Sequence, residues 1–154
     1  MTDVLVVDAS VAVKWVIREN DTPVALALLR DAAAAKRPIA APPHFYGQVL
    51  NAIYQRVRTA DPTKQLGEAA AREAIREFLA FSVEAVSPTG LYERAFDVAR
   101  AHGLPSIYDG LYVALAELLS GDLWTADQRL LQTLGGALGF VRWLGDYPVS
   151  AAGC

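Results

Sequence analysis

Four consecutive apolar residues, Val4-Leu5-Val6-Val7, end abruptly at Asp8. A continuous, largely β-branched run has no polar face, so it reads as a strand buried on both sides, the kind found in a parallel sheet covered by helices. Asp8 then stands at the strand's carboxyl end. A carboxylate placed directly after a buried strand is costly unless it is hydrogen-bonded, paired or bound to a metal. The first strand thus sets both a fold class and a position that needs a partner.

The rest of the chain repeats this alternation. Ser10 is an N-cap candidate for a helix through Ile17, and Thr22-Pro23 starts another that runs to about Lys36. Ile39 to Ala41 reads as the second strand. Pro42-Pro43 opens a helix to about Arg58, Asp61-Pro62 opens one to about Ala80, and Ser82 to Val86 alternates like a strand. Thr89 begins a helix that Gly103 stops. Ser106 begins the next, which is apolar on nearly every side from Leu111 to Leu119 and ends at Gly121. Leu123-Trp124-Thr125 is a short strand, Ala126 to Leu134 a helix, and Phe140 to Arg142 a final strand candidate. Strands alternating with helices imply an α/β fold with a parallel sheet covered on both faces. Ligands of such sheets bind beyond the carboxyl ends of the strands, where the connections reverse direction, and Asp8 and Asp127 fall at that edge.

The 154 residues suit a single domain over 1–150 with a short tail, 151–154. The 53% hydrophobic content is that of a packed globular chain. The only cysteine is Cys154, which leaves no intrachain disulfide and fits a reducing compartment. The N-terminus lacks the basic start of a signal peptide, and no apolar stretch approaches the ~20 residues a membrane helix needs, so a soluble cytoplasmic protein is expected. A net charge of −3 offers no global attraction for nucleic acid, so any polyanion must be held locally.

Taken singly, two of the acids have ordinary explanations. Asp109 lies three residues after Ser106, as in a capping box, and Asp127 sits in a first turn after Thr125, with Gln128 completing a T-x-x-Q pattern. Their neighbours and order say more: VVDASVAVKW, then YDGLYVALAE, then LWTADQRLL. Together these segments resemble the signatures of PIN-domain nucleases, and most resemble the VapC-type ribonuclease toxins of toxin-antitoxin modules. The resemblance spans nearly the whole chain. It implies a three-layer α/β/α fold with a five-stranded parallel sheet in order 3-2-1-4-5, and an acidic site of Asp8, Asp109 and Asp127. It also implies Mg²⁺ or Mn²⁺ as cofactor, an RNA substrate, a cognate antitoxin partner and a homodimer.

The sequence departs from the family at one point. The helix that normally reads P-x-x-x-x-x-E-x-x-N is here Pro42 to Asn51, with Gln48 in the glutamate's place. Gln48 and Asn51 lie three apart, so both can face the site from one side of a helix. Hard cations prefer oxygen ligands, and Mg²⁺ is commonly held by one or two carboxylates plus substrate phosphates. A pair of such ions can activate water and stabilise the leaving oxygen of an in-line phosphodiester displacement, which by resemblance leaves a 5′-phosphate. A glutamine carbonyl still ligates a hard metal, but it removes one negative charge. The alternative reading is therefore a PIN fold retained as a binding or regulatory module.

Ser10 and Thr125 occupy hydroxyl positions that in the family support the acidic cluster. Lys14, Arg18 and Arg129 are candidate contacts to RNA phosphates, against their reading as solvated surface. Other α/β classes fit worse. A haloacid-dehalogenase-type phosphatase needs an aspartate where Ser10 stands, a receiver domain needs an acidic pair and a lysine that do not occur, and Gly135-Gly136 follows a helix, unlike a dinucleotide-binding loop.

Overall fold

The computed structural model describes residues 4–149; the expected tail, 151–154, and Cys154 lie outside them. The five strands are β1 (Leu5–Val7), β2 (Ile39–Ala41), β3 (Val83–Ala85), β4 (Asp122–Thr125) and β5 (Val141–Trp143). All neighbouring pairs are parallel and the order is β3-β2-β1-β4-β5. The central register aligns Leu5 with Ile39 on one side and Val7 with Trp124 on the other. The three residues of β1 are buried, as its unbroken apolar run requires.

Among the described residues, seven α-helices cover the sheet: α1 (Ala9–Val16), α2 (Thr22–Ala34), α3 (Phe45–Arg58), α4 (Glu68–Ala80), α5 (Leu91–His102), α6 (Ile107–Leu118) and α7 (Gln128–Leu134). Helices α1 to α4 pack on one another, while α5 and α6 form a separate close pair, with α6 against β1 and β4. The close approach of that pair depends on Gly110, where a Cβ would stand 2.6 Å from the Ala95 carbonyl oxygen. Residues Gly110 to Ala116 are all buried, so α6 is the central helix its apolar sequence predicted.

Several boundaries differ from the sequence expectation. Asp8 occupies the N-cap of α1, and Ser10 lies inside the helix. Pro42-Pro43 precedes α3 by a turn, and the helix begins at Phe45. Asp61-Pro62 forms a turn in which Asp61 Oδ1 accepts from the amide and hydroxyl of Thr63, and α4 starts only at Glu68. The aspartate competes with helical geometry by bonding its own local backbone. Likewise α7 is capped by Asp127, not Thr125, and Asp127 Oδ1 accepts from the amides of Arg129 and Leu130.

The two central strands, β1 and β4, lead in opposite directions, β1 to β2 and β4 to β5. Their carboxyl ends form the switch point of the sheet. Asp8 follows β1 there and Asp127 follows β4. No helix among the described residues is long and apolar enough to cross a membrane.

Candidate active site

Asp8 is 6% exposed, and two hydroxyls hold it. Its Oδ2 accepts from Ser10 Oγ at 3.0 Å and from Thr125 Oγ1 at 2.8 Å. Each hydroxyl also accepts a backbone amide from the segment after β4: Ala126 N–H to Ser10 Oγ, and Asp127 N–H to Thr125 Oγ1, both at 3.0 Å. Ser10 and Thr125 thus tie the ends of β1 and β4 together through the carboxylate. Burial pushes the Asp8 carboxyl above its ordinary range, and the two hydroxyl bonds oppose that shift.

Asp109 sits in the first turn of α6, where its backbone amide donates to Ser106 Oγ at 3.4 Å. The capping interaction expected from the sequence is present, and it leaves the carboxylate at the same edge as the other two. Asp109 is pushed up to about 6, first by burial and then by the negative charges of Asp8 and Asp127, against the pull of the nearby Arg129 cation. A cleft of about 540 Å³ is lined by Ser106, Asp109, Asp127 and Arg129, with Pro105 and Thr133.

A raised acid is most comfortable in the fold when protonated. The stabilising contribution of protonated Asp109 is fully present below its unfolded value, near 4, and is lost as pH rises through about 6. In EDTA at neutral pH, Asp109→Asn is therefore expected to raise stability by roughly 1 kcal/mol after allowance for solvent screening at this half-buried group. That corresponds to about 2–4 °C in melting temperature. The gain should shrink to nothing at pH 4. Thermal melts across that range check it, and a variant no more stable than the parent at pH 7.5 would contradict the coupling.

Gln48, on α3, is held from across the site by a residue the sequence reading passed over. The hydroxyl of Tyr112 on α6 donates to Gln48 Oε1 at 2.7 Å. Tyr112 is buried, and its phenol is driven far up by burial and by the charge of Asp8, with the Ala9 backbone amide opposing the shift. The signal available in the sequence was a polar-tipped aromatic inside an otherwise apolar helix. Such a residue needs a partner. His44, just before α3, packs its ring on Tyr108 and on Tyr112, each with centroids 5.0 Å apart. Both His44 nitrogens are buried without a hydrogen-bond partner, and burial lowers the imidazole's affinity for a proton.

The remaining candidates divide. Asn51 is exposed and its Oδ1 accepts from Gln55, so the two polar residues of α3 separate: Gln48 reaches Tyr112 and Asn51 does not. Lys14 is engaged by Glu19 at 2.7 Å and Asp21 at 2.9 Å. Arg18 is exposed, and Arg129 is exposed beside the cleft.

The oxygen-only donor set suits a hard divalent cation, whose charge would offset the burial and the neighbouring charges of Asp8 and Asp127 that together raise Asp109. Among the described residues no three His, Cys, Asp or Glu side chains converge as a ready-made cage. Such a cage is not required for Mg²⁺, which keeps several waters and takes further oxygens from phosphates. Asp8 Oδ2 and Asp127 Oδ1 are committed to local hydrogen bonds, but each carboxylate has a second oxygen.

A parallel five-stranded sheet in this order, with Asp8 and Asp127 following its two central strands, defines a three-layer α/β class. The PIN domain family model matches residues 5–135. A VapC ribonuclease of Mycobacterium bovis is 36% identical over 117 residues, 73% of this chain and 87% of that protein. Ribonuclease VapC12 of Mycobacterium tuberculosis is 33% identical over 132 residues, 85% of this chain and 92% of that one. The crystal structure of PAE2754 from Pyrobaculum aerophilum superposes with a TM-score of 0.64 at 20% identity, covering 94% of this chain and 93% of that one, a likeness of fold. The chain belongs to the PIN domain family.

Proposed function

We propose that this chain is a metal-dependent endoribonuclease and the toxin component of a toxin-antitoxin module, working as one domain over residues 1–150. The observation that carries the reading is the position of Asp8 and Asp127 after the two central strands, with Asp109 and Asp127 lining one cleft there, in a chain whose relatives are named ribonucleases. In this reading Asp8, Asp109 and Asp127 hold Mg²⁺ or Mn²⁺. The ion, when bound, supplies an activated water and charge neutralisation at the phosphate. Ser10 and Thr125 fix the orientation of Asp8, and their amide bonds to residues 126 and 127 hold the third acid in register with the first. Arg129 lies where an RNA phosphate entering the cleft meets a cation; Lys14 reaches RNA only by leaving Glu19 and Asp21, and Arg18 is an outer contact. The natural partners are an antitoxin that covers the acidic cleft and a second copy of the chain, in the cytoplasm.

The binding-module reading has one specific observation in its favour: the Gln48 carbonyl oxygen, the atom of that side chain able to ligate a metal, is bonded to Tyr112. A glutamate there accepts the same bond on one oxygen and offers a second with charge. Gln48→Glu is accordingly expected to raise Mg²⁺- or Mn²⁺-dependent RNA cleavage by about 10-fold or more. Cleavage of varied RNA substrates is measured for both forms with metal present. If both are inert while partner affinity is intact, the enzyme reading loses to the binding module.

A further inference from the structure

Tyr108 combines features that the acidic site leaves unused. It is 53% exposed although aromatic, it immediately precedes Asp109, and it stands one helical turn before Tyr112 on the same stripe of α6. One part of its ring is backed by His44 at 5.0 Å and 37°. His44 is in turn pinned edge-on against Tyr112, whose hydroxyl is fixed by Gln48. The exposed ring is thus braced by a desolvated imidazole that itself rests on a buried tyrosine, and the brace ends at Gln48. Side-chain entropy that a loose surface tyrosine loses on binding is already reduced here.

We infer that Tyr108 is a stacking platform for a base of single-stranded RNA next to the phosphate held at the acids. The inference rests on the ribonuclease reading and names the form of substrate it takes. A nucleotide couples a flat apolar face to an anionic phosphate, and the first turn of α6 carries an exposed aromatic ring together with the Asp109 carboxylate. Tyr108 and Asp109 point about 100° apart around the first turn of α6, so the ring flanks the carboxylate at a separation that one RNA strand spans. Every base has a π-face, so the platform favours unpaired strands without selecting a base. Duplex RNA, whose bases are stacked internally, does not offer that face.

The test uses the full chain carrying Asp8→Asn to prevent hydrolysis, with Mg²⁺ present, and fluorescein-labelled single-stranded RNA read by anisotropy. A ribose-phosphate strand of equal length lacking all bases is the comparison. Tyr108→Ala is expected to weaken binding of the base-containing strand by roughly 5- to 150-fold and to leave the abasic strand unchanged. Tyr108→Phe, which keeps the ring, should stay within about twofold of the parent, since stacking needs no hydroxyl. Equal loss on both strands, no loss on either, or no binding of RNA by the parent overturns the platform. A shift in oligomeric state by light scattering without base-dependent loss also overturns it and assigns Tyr108 to a protein interface. Cleavage assays of the parent and Gln48→Glu separate the two readings. Base-dependent binding without cleavage keeps the platform and sinks the nuclease; cleavage without base-dependent binding does the reverse.

Discussion

Asp8→Asn is expected to lower Mg²⁺- or Mn²⁺-dependent RNA cleavage by at least ~100-fold while the chain stays folded. The asparagine oxygen still accepts from Ser10 and Thr125, so the bonds that join the ends of β1 and β4 have a counterpart. What disappears is the charge, at a buried site where the fold already bears its desolvation cost. Activity and stability should therefore part company, with turnover falling and the melting temperature of the metal-free protein unchanged or slightly higher. Cleavage rates and EDTA melts measured on the same preparation decide it. Turnover within a few-fold of the parent would remove Asp8 from the proposed metal site, and a collapsed melt would recast it as a structural residue.

The largest effect on stability is expected at Gly110. A Cβ there meets the Ala95 carbonyl oxygen at 2.6 Å and the Ala99 Cβ at 3.4 Å, and the first of these is backbone that cannot swing aside. Gly110→Ala forces α5 away from α6 at a cost of about 1–3 kcal/mol or more. For a chain of this size that is roughly 2–12 °C. Because Gly110 follows Asp109, cleavage should fall as well. Gly47→Ala supplies the contrast. It sits in α3 with no atom within 4 Å of the added Cβ, and replacing a helical glycine in open space should stabilise by roughly 0.5–1 kcal/mol. Thermal or denaturant unfolding of the two variants should move in opposite directions, and movement in the same direction would refute the packing account.

The pairing of a hydroxyl with one of the three acids recurs across the candidate site. Ser10 and Thr125 each donate to the Asp8 carboxylate and accept a backbone amide, and Ser106 accepts the amide of Asp109. This is why the ordinary explanations for the acids were sound as far as they went: Asp127 does cap α7, and Ser106 does cap α6 at Asp109. Capping and gathering are compatible, because a helix start at the carboxyl edge of a sheet orients its first-turn carboxylate toward neighbouring strand ends.

The sequence alone was enough for the alternation of strands and helices, for the buried β1 that ends on Asp8, and for the central place of α6. Those features depend on local periodicity and on runs of apolar residues, which are properties of consecutive positions. The strand order 3-2-1-4-5 came from resemblance to a family, since pairing between distant strands leaves no local trace. Boundaries set by side-chain competition were misread: Asp61 bonds to Thr63 and delays α4, and Ser10, expected as a cap, is spent on Asp8 and Ala126. The partners of the site were decided by tertiary structure. Tyr112 and Gln48 are 64 residues apart, and Thr125 and Asp8 are 117 apart. Their bonds exist because the fold buries polar atoms that must then find partners across the core, and which partners they find depends on packing that no stretch of sequence contains.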